Sequence, residues 1–132
     1  MAELDEKARA AFEGKNFWSV ATANKEGVPQ STVLWVMLRN GHIVLNSALG
    51  RKKVKNLDAN PHVALSWADP NNPYTSYAIQ GRVVDRIVGD QAEADIDSLA
   101  KKYIGEDRYP WRSPDEKRVT FLVEPTHVYR QG

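Results

Sequence analysis

The sequence predicts a mainly β fold, a small antiparallel barrel with helices packed outside it. Three observations carry that reading. About six β-rich runs follow one another, mostly across short turns. The three helical segments are interposed singly, so strands and helices do not alternate as they do in a doubly wound parallel fold. And Asn40-Gly41 joins two apolar runs, the strongest short-range signal of a hairpin, because both central positions of a type I′ turn need positive φ.

The elements follow in order. Leu4, Ala8, Ala11 and Phe12 form one apolar stripe at helical spacing, and Gly14 is placed to end that first helix. Phe17–Ala23 reads as a strand and Lys25-Glu26-Gly27 as a turn. Gln30–Arg39 is a longer strand rich in apolar and β-branched residues, and after the Asn-Gly turn His42–Asn46 pairs back with it. A short helix spans about Ala48 to Ala59, capped by Ser47 and stopped by Asn60-Pro61. His62–Trp67 is a fourth strand, and Asp69 to Pro73 is a loop by composition. Tyr74–Ile87 is a long strand, in which Gly81 marks a bulge or a close backbone approach. The next helix begins at Asp90 with Glu93 completing a capping box. It buries Ala92, Ile96, Leu99, Ala100 and Tyr103 and ends at Gly105. Glu106–Pro114 is a loop carrying Arg108, Tyr109, Trp111 and Arg112. Glu116–Glu124 is the last long strand, and Thr126–Tyr129 is an extended tail.

Composition narrows the function. A chain of 132 residues with 42% hydrophobic and 27% charged residues is one globular domain. With no cysteine there is no disulfide, thiolate metal site or cysteine nucleophile. A net charge of +1 gives no global field to recruit nucleic acid or a membrane surface. The longest apolar run, Val33 to Leu38, is too short to span a bilayer. The opening Met-Ala-Glu-Leu-Asp-Glu-Lys is unlike a secretory signal peptide, which predicts a cytoplasmic location.

The helix after the third strand carries its charges in the wrong order. Arg51, Lys52, Lys53 and Lys55 crowd its first half and Asp58 lies near its end. A helix N-terminus bears roughly half a positive charge, and each cation there is disfavoured by about 0.3–1 kcal/mol. The helix after Asp90 has the favoured order, with Glu93 and Asp95 early and Lys101 and Lys102 late. An anion at the inverted helix would relieve its repulsion, meeting free N–H groups, the Ser47 hydroxyl and the basic side chains. Helical projection puts Arg51, Lys52 and Lys55 within one arc of about 100° and Lys53 toward the Val54/Leu57 face. The competing reading is a solvated basic face.

No residue set supports self-sufficient catalysis. His42, His62 and His127 are isolated in sequence, and HExxH, GxSxG, GxGxxG and Walker motifs are absent. An anion site without a side-chain nucleophile points to chemistry carried by a phosphorylated cofactor. Four tryptophans and five tyrosines offer flat surface for a ring, although most such residues serve as core.

Asn46-Ser47, then Arg51-Lys52-Lys53, Asn56-Leu57 and Asn60-Pro61-His62-Val63-Ala64-Leu65 resemble the pyridoxamine 5′-phosphate oxidase-like split-barrel superfamily. The resemblance is to its short flavin- and deazaflavin-dependent oxidoreductases. The first hairpin (Phe17 to Thr22, Asn24 to Gln30), Ala78 to Val83, and Arg118 to Val123 with Pro125 and His127-Val128-Tyr129 are similar to the corresponding strands, so the match covers nearly the whole chain.

The resemblance implies a six-stranded split barrel that forms a homodimer, with cofactors in clefts between subunits. It implies that Ser47, Arg51, Lys52 and Lys53 hold the cofactor phosphate. The backbone of Ser31, Thr32, Val33, Leu34, Trp35 and Val36 would lie along the ring, with Asn46 beside it and Ser76 a further contact. The cofactor implied is the deazaflavin coenzyme F420, whose acidic tail suits the excess of bases, with FMN as the alternative. Hydride would pass between the ring and a small conjugated substrate, and no side chain or metal would be catalytic. A flavin-storage protein of the same fold is the competing function; a barrel binding single-stranded nucleic acid is a third, poorly served by bases confined to one helix. The ending Val128-Tyr129-Arg130-Gln131-Gly132 departs from the Arg-x-His close of true pyridoxamine phosphate oxidases, which argues against a vitamin B6 substrate. The Glu106–Pro114 loop is a candidate lid or pocket wall.

Overall fold

The computed structural model describes residues 2–132. In chain order the elements are α1 (Glu6–Glu13), β1 (Trp18–Ala23), β2 (Pro29–Leu34), β3 (Met37–Arg39), β4 (His42–Ala48), α2 (Lys52–Ala59), β5 (His62–Asp69), β6 (Asn72–Val88), α3 (Asp90–Ile104) and β7 (Arg118–Gln131). The strands form one antiparallel sheet in the order β2-β1-β5-β6-β7-β4-β3.

Seven strands stand where six were expected because the run Gln30–Arg39 is broken. Its first part pairs with β1 and its last part with β4, so one segment supplies both edges of the sheet. Only Trp35 and Val36 separate the two edges. Leu34 and Met37 are therefore within about 11 Å of each other, whereas the edges of a flat seven-stranded sheet would be roughly 29 Å apart. The sheet must roll up. The result is a barrel split along one seam.

Alternating residues fill the interior. Trp18, Val20, Leu65, Tyr77, Ile79, Phe121 and Val123 are almost wholly buried. Phe12 of α1 stacks on Trp18 at 4.0 Å between ring centroids. Asp5 caps α1 by accepting the Ala8 N–H at 2.7 Å, and its carboxylate also accepts from the Tyr77 hydroxyl.

Local turn chemistry holds as read. Asn40 and Gly41 both have positive φ, 52° and 81°. Gly81 is a close approach beside a bulge: a Cβ there would lie 2.6 Å from Val123 Cγ1, and the β6–β7 register shifts at that point. Gly105 takes the left-handed conformation at the end of α3.

Two helix starts differ from expectation. The α3 N-cap is Gly89, with φ 86°, and Asp90 is the first helical residue. Glu93 forms no capping box. It faces outward to bind Arg112 at 2.6 Å and to accept the Arg118 N–H at 2.9 Å. At α2, Ser47 and Ala48 remain in β4, paired with Val119 and Arg118. Gly50 (φ 93°) turns the chain, and Arg51 is the N-cap without a side-chain cap bond. Sheet pairing, which satisfies both backbone groups of Ser47, prevails over its capping propensity. Among the described residues no helix is long and apolar enough to cross a membrane.

Candidate functional site

The end of β4, the start of α2, the end of β2, one face of α3 and the start of β7 converge on a cavity of about 180 Å³. One wall is polar and basic: Asn46, Ser47, Arg51, Lys53 and Arg118. The other is apolar and aromatic: Val33, Leu34, Trp35, Ile96, Leu99, Tyr109 and Trp111.

Ser47 is 5% exposed, and its hydroxyl oxygen is buried without a hydrogen-bond partner. Such groups are uncommon, and each asks for an explanation. Ser47 lines a cavity wall that also carries Arg51, Lys53 and Arg118. Burial pushes the Lys53 ammonium below its ordinary value, and the like charges of Arg51 and Arg118 push it further. Arg51 has one acidic neighbour, Glu116, at 3.5 Å. An orphaned donor among mutually repelling cations fits an incoming phosphate.

Arg118 is only 6% exposed. Its Nε donates to Asn46 Oδ1 at 2.9 Å, its Nη1 to Glu116 at 2.5 Å, and its guanidinium lies 5.2 Å above the Tyr109 ring. The Asn46 amide is spent internally. It donates to the Ala92 carbonyl at 2.9 Å and to Thr120 Oγ1 at 3.1 Å while accepting from Arg118. It therefore aims Arg118 more than it offers a ligand contact of its own. Thr120 in turn donates to Asp95, a buried carboxylate bound by Arg39 and Gln91.

The aromatic wall is anchored from α3. Trp35 stacks parallel on Tyr103 at 5.3 Å, and Tyr109 and Trp111 meet edge-on at 5.6 Å. The loop after α3 is clamped down. Arg112 binds Glu93 and Asp97, one helical turn apart, and Asp97 also accepts the Tyr109 N–H at 2.8 Å. Trp111 is left 63% exposed at the cavity. A second cavity of about 680 Å³, lined by Leu49, Glu93, Arg112, Lys117 and others, shares Arg118 with the first.

Of the residues expected at the site, Val33, Leu34, Trp35, Asn46, Ser47, Arg51 and Lys53 are brought together. Ser31 and Thr32 lie further back on β2, Val36 is fully buried in the core, and Lys52 is exposed on α2. Ser76 lines a separate groove on β6 with Phe17 and Trp67. Sequence reasoning missed Arg118, Ile96 and Leu99. For Arg118 the trace in the sequence was a cation directly before the run Val119 to Val123.

Residues 4–132 match the family model for pyridoxamine 5′-phosphate oxidase. Among solved structures, an F420 reductase is 29% identical, with 96% of this chain and 98% of that one covered at a TM-score of 0.81. An FMN-binding, pyridoxamine 5′-phosphate oxidase-related protein from Nostoc punctiforme is 16% identical over 88% and 74%, TM-score 0.64. The heme storage protein of Vibrio cholerae is 12% identical over 99% and 96%, TM-score 0.67. These last two show the fold alone. No curated protein sequence matches the chain.

Proposed function

The chain belongs to the pyridoxamine 5′-phosphate oxidase family, and from that premise we propose that it is an oxidoreductase using coenzyme F420. The observation that carries the reading is the buried, partnerless hydroxyl of Ser47, a residue that lines one cavity with Arg51, Lys53 and Arg118. These residues would hold the cofactor phosphate. Hydrogen bonds from charged donors contribute roughly 1.5–3 kcal/mol each, so the cluster supplies most of the anchoring.

When bound, the cofactor supplies hydride transfer between its ring and a small conjugated substrate. Val33, Leu34 and Trp35 form the wall along which the ring would lie. The Asn46 and Glu116 bonds fix the Arg118 guanidinium beside Tyr109. Tyr109 and Trp111 wall that side. Room beyond the phosphate supports F420 over FMN: a separate cavity of about 680 Å³ shares Arg118 with the first, its wall carrying Asp90, Glu93 and Glu116 as well as Arg112 and Lys117.

The cavity in one chain, about 180 Å³, falls below the roughly 300–1,000 Å³ usual for ligand sites. We therefore assign the remaining wall to a second copy of the chain, in a homodimer with the cofactor at the subunit interface. The reading is tested by titrating the purified protein with F420 and with FMN while following ring fluorescence. F420 should bind more tightly, and binding of neither at micromolar concentration rejects the proposal. Turnover with quinones, enones and tetrapyrroles then separates an enzyme from a storage protein.

A further inference from the structure

The break between β2 and β3 frees the backbone polar groups of Val36, and two side chains from the last turn of α3 take them up. The Val36 N–H donates to the Tyr103 hydroxyl at 3.1 Å, and the Val36 carbonyl accepts from Lys102 Nζ at 2.5 Å. The same two side chains reach a second element. Lys102 Nζ also donates to the Phe12 carbonyl in the last turn of α1, and the Tyr103 hydroxyl donates to the Asn16 carbonyl at 2.6 Å. The seam of the barrel is thus fastened at four points by two adjacent residues.

The fastening lies directly behind the cavity. Trp35, the residue before Val36, is part of the aromatic wall and stacks on the Tyr103 ring, 5° from parallel. Neither Lys102 nor Tyr103 lines the cavity. A backbone free to choose its course between Leu34 and Met37 could turn Trp35 toward solvent or run on as one strand. With Val36 held at both its N–H and its carbonyl, neither is open to it.

We propose that Lys102 and Tyr103 are positioning residues that set the plane of Trp35 and so decide how the cofactor ring is received. The inference rests on the reading above that this cavity takes a ring-bearing phosphate. Lys102 lies half-buried for the purpose, and burial brings its ammonium down to about 8, with Glu13 the nearby charge opposing that shift. A lysine whose task was only to favour the C-terminal end of the α3 dipole would stay in water.

The test compares Lys102→Met and Tyr103→Phe with the unmodified protein, using FMN or F420 as the ring-bearing probe and inorganic phosphate as the ringless one. Tyr103→Phe keeps the ring stacked behind Trp35 and removes only the hydroxyl bridge, so it serves if Lys102→Met fails to fold. Expected are a roughly tenfold weaker affinity for the ring-bearing probe, a bound-cofactor absorbance moved toward that of the free cofactor, and an unchanged phosphate affinity. An equal loss for both probes, or no change in either with a folded variant, overturns the inference. An unmodified protein that binds neither cofactor rejects the functional reading itself, which keeps the two failures apart.

Discussion

A buried hydroxyl left without a partner lowers stability by about 1–3 kcal/mol, so Ser47 is a liability to the fold until something binds it. Replacing it with alanine should leave thermal stability equal or higher, and should weaken cofactor binding by about 1.5–3 kcal/mol. Calorimetric titration beside a melting curve reads both effects. A loss of stability with unchanged affinity would make Ser47 an ordinary strand residue. Arg51→Ala with Lys53→Ala should cost at least about 2 kcal/mol of affinity while the fold stays intact or gains slightly, because like charges that push Lys53 down are removed. Lys102 gives a pH signature of its own. Its ammonium lies at about 8 in the folded protein against an ordinary 10.5. The folded state therefore loses this proton first, and between those values the unfolded chain holds more protons. Stability must then rise with pH across that window. Denaturant midpoints between pH 7 and 10.5 should show the rise in the unmodified protein and a smaller one in Lys102→Met, where Lys53, also held below its ordinary value, still contributes.

At the level of elements, α2 keeps the conflict seen in its sequence. It has no acid in its first turn and no base in its last. Part of the inversion has a structural cause, since Asp58 binds Arg86 of β6 in a bidentate pair at 2.7 and 3.1 Å. At the basic end Arg51 has Glu116 at 3.5 Å, and it is the lysines crowded beside that pair for which an anion is invoked. Lys52 separates the two contributions, being exposed and outside the cavity lining. Lys52→Glu should stabilise the protein by about 0.3–1 kcal/mol through the helix dipole and change cofactor affinity by less than twofold, by chemical denaturation and fluorescence titration. A large affinity loss would return Lys52 to the phosphate site. The same element shows what a sequence can disclose. Hairpins were legible because Asn40-Gly41 and Lys25-Glu26-Gly27 act within a few residues, and the basic helix was legible from its charge order alone. The break at Trp35-Val36 was not, because the Lys102 and Tyr103 groups that stabilise it are more than sixty positions away. Ser47 misled as a cap because its competitor, pairing with Val119, is equally distant in sequence. Arg118 stayed hidden for that reason too: only the folded sheet shows that it enters a cavity and not solvent.

For the whole molecule the telling feature is the outer face of the sheet. Register places Val33, Ser19, Ser66, Ala78 and Tyr129 in one row across five strands, and Ser31, Ala21, Ala64, Gln80 and His127 in the next. Neither row contains an Asp, Glu, Lys or Arg, although Val33 and Tyr129 are more than half exposed. An antiparallel sheet face meant for water is usually polar, and an outer face free of charge suits burial against another surface, because charged residues are depleted at interface cores. Val33 belongs both to this face and to the cavity wall, so a partner seated on the rows would also complete the site. A second copy meets the requirement, since an isologous pairing brings the same patch from each side. The purified protein should then sediment at twice the mass of the chain. Ala64→Arg puts a charge at the middle of the second row, on an outward and exposed position of β5 where folding is not at stake. It should yield a folded monomer that binds the cofactor at least tenfold more weakly, because the cavity loses its second wall. A native monomer that binds cofactor fully, or an Ala64→Arg protein that remains dimeric and active, would show that this face is not where the site is completed.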